Sequence, residues 1–179
     1  MMRRIASALF GLLALIGTAQ ATEQIPDHIQ IDGQQALLLA EPLSGQLDDP
    51  TTWKRFVAQA GSSLGGCSAN WRGYQAFWRV DAEQLVLDRV VLGACAEAPP
   101  ELPLSVLFPG QRAPVPAVWV DGELIAALPA AENATSDAPA SYVSLRLRRG
   151  HVVAREPLTV DMLRARQAAA AAARPVPVP

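Results

Sequence analysis

Catalytic signatures are missing from this chain of 179 residues. No G-x-S-x-G elbow presents a serine nucleophile, no H-E-x-x-H helix offers a zinc site, and no glycine-rich phosphate loop occurs. Histidine is scarce. His28 lies beside Asp27 near a strand start and His151 follows a turn, and neither placement suggests a catalytic base. The two cysteines have no third or fourth ligand at zinc-like spacing, so no metal site and no cofactor are expected. Lysine occurs once, at Lys54, and the net charge is −2, so the basic footprint of a nucleic-acid binder is absent. No apolar run reaches the roughly 17–25 residues that a spanning helix needs. A hydrolase built on two carboxylates stays open, because it requires only a distance that sequence does not display.

What is present begins at the N-terminus. Arg3 and Arg4 precede an apolar run from Ile5 to Ala19, and the segment closes on Ala19-Gln20-Ala21. A charged start, a short apolar stretch and an A-x-A site make residues 1–21 a signal peptide, with cleavage before Thr22. The expected location is periplasmic or secreted, with no stable membrane span after cleavage. Loss of Arg3 and Arg4 leaves a net charge of about −4, a mildly acidic, soluble surface. Export also carries Cys67 and Cys95 to a compartment that permits disulfides, and a bond between them is favoured over free thiols.

Along the mature chain, Ile29 and Ile31 alternate with polar residues, Asp32-Gly33 turns, and Ala36 to Leu39 return, which reads as a hairpin. Asp49-Pro50 starts a short helix over 50–60, with Asp as the cap and Pro in the first helical position. Tyr74, Ala76, Trp78 and Val80 alternate with Gln75, Phe77 and Arg79, and after Asp81-Ala82-Glu83 the chain returns from Leu85 to Val91 as a second hairpin. Six prolines within 97–116 exclude helix there and permit only edge strand or extended loop. A third hairpin is expected over Ala117–Ala127 with Asp121-Gly122 as its turn, and residues 129–140 read as a loop. In the fourth hairpin, Val143, Leu145 and Leu147 oppose Tyr142, Ser144, Arg146 and Arg148, and Arg149-Gly150 turns. Thr159 then caps a helix over about 160–173, followed by a Pro-Val-Pro-Val-Pro end.

These elements predict a mainly β fold. Antiparallel hairpins form a small barrel or a sandwich, with one short helix and a C-terminal helix. Periodicity does not choose between barrel and sandwich. The expected organisation is a signal peptide over 1–21, a single β-rich domain over 22–157, and a helix with a proline-rich tail over 158–179.

The run Trp71-Arg72-Gly73-Tyr74, Ala76, Trp78, Val80, then Leu85 and Leu87, resembles a family of small exported bacterial proteins of unknown function with a central W-R-G-Y-x-A-x-W motif. Pro26-Asp27 with Asp32-Gly33, the set Trp119, Gly122 and Leu124, and Leu145-Arg146-Leu147 before Gly150 are similar to that family as well. The likeness extends over residues 26–156 and departs from the pattern at 129–140. It implies a domain extent and no activity.

Trp71, Tyr74, Trp78 and Trp119 are the aromatic candidates. Beside strand periodicity they read as core, with a stacking platform for a sugar, peptide or partner as the alternative. Arg72 offers a planar fork for a carboxylate or phosphate, or equally a bridge to an acidic side chain that holds its loop. Arg146, Arg148 and Arg149 read as a solvated, edge-protecting stripe. The expected function is an exported, non-enzymatic binding module for an envelope or extracellular macromolecule, of which a periplasmic inhibitor or immunity-type protein is one concrete form. A small hydrolase acting on envelope polymers and a structural envelope-maintenance factor are the alternatives.

Overall fold

A computed structural model describes residues 24–61, 64, 66–129 and 141–172. The expected signal peptide, most of the expected loop over 129–140 and the proline-rich end fall on residues outside those described. β1 (Asp27–Ile31) and β2 (Gln34–Leu38) form the first hairpin, and both turn residues take positive φ, Asp32 at 51° and Gly33 at 82°. α1 (Ser44–Leu47) and α2 (Pro50–Ala60) follow. Asp49 caps α2 by accepting the Thr52 N–H at 2.8 Å, which is the task the Asp-Pro pair suits. β3 (Tyr74–Asp81) and β4 (Gln84–Leu92) make the second hairpin, and β5 (Glu101–Leu102), α3 (Leu104–Leu107) and β6 (Val115–Pro116) come next. β7 (Gly122–Leu128), β8 (Ser141–Arg148), β9 (His151–Leu158) and α4 (Val160–Ala172) complete the chain.

Seven strands close into a barrel in the order β3-β1-β2-β7-β8-β9-β4, with β4 returning to β3, while β5 and β6 add to β4. Two long-range seams decide barrel over sandwich. β1 pairs with β3 in parallel, His28 opposite Phe77, so the sheet is not wholly antiparallel as the hairpins alone suggest. β4 meets β9 at Gln84 and His151, where Leu85 N–H donates to Gly150 at 2.8 Å and Val152 N–H donates to Glu83 at 2.8 Å. Gly150 has φ 77° at this seam, and a Cβ there would collide with the Ala117 carbonyl and the Gln84 amide.

Inward positions alternate as the pleat demands: Ile29 and Ile31, Ala36 and Leu38, Leu124 and Ala126, Leu145 and Leu147 are all buried. Trp78, Leu85, Leu87 and Val90 fill the same core. α2 adds Phe56, which meets Tyr74 edge-on at 5.9 Å.

Two expectations fail. Ala117–Val120 is no strand. Its Ala117 N–H donates to Leu85 at 2.9 Å, and β7 takes β2 and β8 as partners instead of a local hairpin mate. The proline-rich segment does hold a helical turn, α3, because Pro103 sits at its N-cap and Pro109 lies beyond its end, where neither ring obstructs it. Buried Leu104 and Leu107 fix that turn.

α4 lies on the outside of the barrel. Leu163 is its one buried residue among those described, and Arg166 ties it down by pairing with Glu123 and with Glu156, the latter at 2.6 Å. Thr159 begins it, accepting from Leu163 N–H and, through its hydroxyl, from Met162 N–H. No helix among the described residues is long and apolar enough to cross a membrane.

Cys67 and Cys95 are disulfide-bonded, with 6.1 Å between their Cα atoms. The bond ties the approach to β3 to the chain leaving β4. Closing a loop of about 29 residues stabilises by about 3.5 kcal/mol in the chain-entropy model. The Cys67→Ser, Cys95→Ser double variant is therefore expected to lose stability on that scale in urea, with its near-native spectrum retained in buffer.

Candidate functional site

The central motif is assembled around Asp27, the first residue of β1. The Asp27 side chain is fully buried, and both its oxygens are committed. Oδ1 accepts from Arg72 Nη1 and from the Ala76 backbone N–H, each at 3.0 Å, and Oδ2 accepts from Trp78 Nε1 at 3.0 Å. One carboxylate thus joins the loop before β3, the β3 backbone and the largest core side chain. Arg72 also donates to the Ile25 carbonyl at 2.7 Å, and Gln75 donates to Pro26 at 2.8 Å. The Arg72 Nε lies 3.4 Å from Glu41, and the guanidinium covers the Tyr74 ring at 4.8 Å. Burial opposes the charge on Arg72, but Asp27, helped by Tyr74 and Glu41, holds its pKa above the ordinary value. Burial pushes the Tyr74 phenol well above its usual range, and Asp27 adds to the rise. The Tyr74 hydroxyl and both side-chain polar atoms of Asn70 are buried without a hydrogen-bond partner.

The structure separates the aromatic candidates. Tyr74 and Trp78 are buried on one face of β3. Trp119 is half-buried, donates to the Pro42 carbonyl at 2.9 Å, stacks on Phe108 at 5.0 Å and stands 6.4 Å from Trp78. Trp71 is 79% exposed, which corrects the reading of it as core. The reason is local. Trp71 precedes the strand, and Gly73, at φ 73°, turns the chain between them. Its odd spacing from Tyr74 was the available signal, since residues three apart do not share a strand face.

A cleft of about 650 Å³ opens beside this cluster, between the outer side of β2 and the first turns of α4. Its floor includes Asp27 and Arg72, Glu41 and Gln24 stand at that polar end, and Leu37, Leu39, Tyr142 and Leu163 form the apolar wall. Leu37 and Leu39 are 42% and 48% exposed. They point outward because Ala36 and Leu38 point inward. Register extends this wall into a row around the barrel. Arg89 opposes Phe77, Phe77 opposes His28, His28 opposes Leu37, Leu37 opposes Ala127, and Ala127 opposes Tyr142. His28 stacks on Phe77 at 5.1 Å, and the Arg89 guanidinium covers Phe77 at 3.6 Å. Burial lowers the His28 pKa, Asp27 partly offsets this, and Arg89 lowers it further. In the sequence, Leu37 and Leu39 carry no mark beyond membership of an apolar strand, and Asp27 stands out only as the neighbour of Pro26 and His28.

Arg146 and Arg148 are exposed on β8, and the Arg149 backbone N–H donates to Asp121 at 2.8 Å. His151 starts β9, apart from the cleft. Among the described residues, no three His, Cys, Asp or Glu side chains gather as a metal site. No family model, curated protein or solved structure matches the chain.

The arrangement can bind. Asp27 is sealed and saturated, so it acts as a structural anion that orients Arg72. The groups a ligand can reach are the exposed leucines, Tyr142, Glu41, Gln24 and the rim of α4.

Proposed function

We propose that this protein is a non-enzymatic binding module that works outside the cytoplasm and takes its ligand in the cleft between β2 and α4. The observation that carries this reading is the pair of exposed leucines, Leu37 and Leu39, set beside the buried Asp27–Arg72 pair in a cleft of about 650 Å³. That volume lies within the roughly 300–1,000 Å³ of ordinary ligand sites, and the lining divides about evenly between apolar and polar surface. The signal-peptide pattern and the disulfide support a periplasmic or secreted setting. A periplasmic inhibitor or immunity-type protein remains one concrete form of such a module.

The test is capture from a periplasmic extract, with both proteins and glycans analysed. The parent protein retains a ligand, and Leu39→Glu, which places a charge on the apolar wall, loses it. Arg146→Ala, outside the cleft, retains it. Equal capture by all three proteins would show that the cleft is not the site.

A further inference from the structure

α4 is fastened to the barrel at three points. Thr159 starts it at the end of β9, and Leu163 is its one buried side chain among those described. Arg166 reaches Glu123 on β7 and Glu156 on β9, the latter at 2.6 Å. Glu123 is itself held, accepting from the Ser144 hydroxyl at 2.5 Å. Beyond these anchors, Ala168 to Ala172 are exposed. The seat is separate from the core. Leu158 and Leu163 are both buried, yet neither belongs to the cluster that fills the barrel. Leu158 opposes Tyr142, so it extends the outward row that runs through Leu37 and Ala127.

That construction makes α4 separable. A helix of 13 residues is at the margin of stability when it stands alone. Exposed ion pairs contribute little and are screened by salt. β8 and β9, in contrast, are paired from Tyr142 to Arg148. The helical hydrogen bonds of α4 therefore depend on its docking. Losing the anchors undocks and unwinds it as one unit while the barrel stays closed. The consequence falls on the cleft. Val160, Leu163 and Gln167 belong to its α4 side, and Leu37, Leu39 and Tyr142 to its barrel side. Release removes the first set and uncovers the second.

We infer that α4 is a strap over the ligand cleft, latched by Arg166 and released as a unit, an inference that rests on the cleft reading above. The test is amide hydrogen exchange, resolved by NMR, on the purified full chain. In the parent, the α4 amides from Leu163 onward exchange faster than those of the β8–β9 ladder. Arg166→Ala speeds all of them by one common factor of about five, the scale of a surface ion pair, and removes their acceleration by high salt. Arg148→Ala, exposed at the far end of β8 from Tyr142, leaves them at parent rates. Acceleration confined to Ala168–Ala172 is end fraying and overturns the strap. So do Leu163 and Arg166 amides that stay as slow as the ladder in Arg166→Ala. The second readout is anilinonaphthalene sulfonate, a dye that brightens on exposed apolar surface. Its emission rises several-fold with Arg166→Ala, and adding Leu39→Gln, which carries no charge, cuts that rise. No rise means that release uncovers no apolar wall, and the inference falls. Neither measurement uses the native ligand. The expected exchange and dye results with capture that ignores Leu39→Glu overturn the placing of the strap over a ligand site. Graded exchange with Leu39→Glu-sensitive capture overturns the strap and leaves the cleft reading standing.

Discussion

Asp27→Ala is expected to cost about 3–5 kcal/mol, the scale of removing one partner from a buried ion pair. The variant leaves Arg72 charged and largely enclosed, and it strips the acceptor from Trp78 Nε1 and from the Ala76 N–H. Domains of this size are stable by about 5–15 kcal/mol in total, so about a fifth or more of the margin disappears. Urea denaturation should show a much lower midpoint with an unchanged slope. Asp27→Asn keeps an acceptor and the volume while losing the charge, and should fall between Asp27→Ala and the parent. An Asp27→Ala midpoint within experimental error of the parent would mean that Arg72 finds another partner, with Glu41, 3.4 Å away, the nearest anion.

Trp78→Ala is the second large effect, about 3–5 kcal/mol for emptying a fully buried indole site. Part of that loss is polar, because Asp27 Oδ2 loses its donor in the same step. The two single losses therefore overlap, and the double variant should cost less than their sum. Arg146→Ala, exposed on β8, should change stability by about 0.5 kcal/mol or less in the same urea series. Parent-like unfolding of Trp78→Ala would show that the indole does not support the barrel.

The paired effects explain why the motif reads as it does. Trp71, Arg72, Tyr74 and Trp78 are close in sequence but do different work. Trp78 and Arg72 converge on one carboxylate about 45–50 residues earlier, Tyr74 fills the space under the guanidinium, and Trp71 points away. Spacing within the motif could not show the carboxylate, because β1 reaches β3 through a parallel pairing with no local turn to announce it.

What the sequence by itself determined is local. Alternation and turn residues specified the β1–β2, β3–β4 and β8–β9 hairpins, since a two-residue period and a positive-φ turn are properties of a few adjacent residues. Asp49-Pro50 specified the start of α2, and Thr159 that of α4, for the same reason. The tertiary structure alone decided the rest. Closure into a barrel depends on the β1–β3 and β4–β9 seams. The failed hairpin at Ala117–Ala127 lost to partners on β2 and β8, and the one-turn helix between prolines is held by buried leucines. The cleft exists only where an outward row on β2 meets a helix more than 120 residues later in the chain. Such features are free energies of contact between distant segments, and no window of neighbouring residues contains both partners.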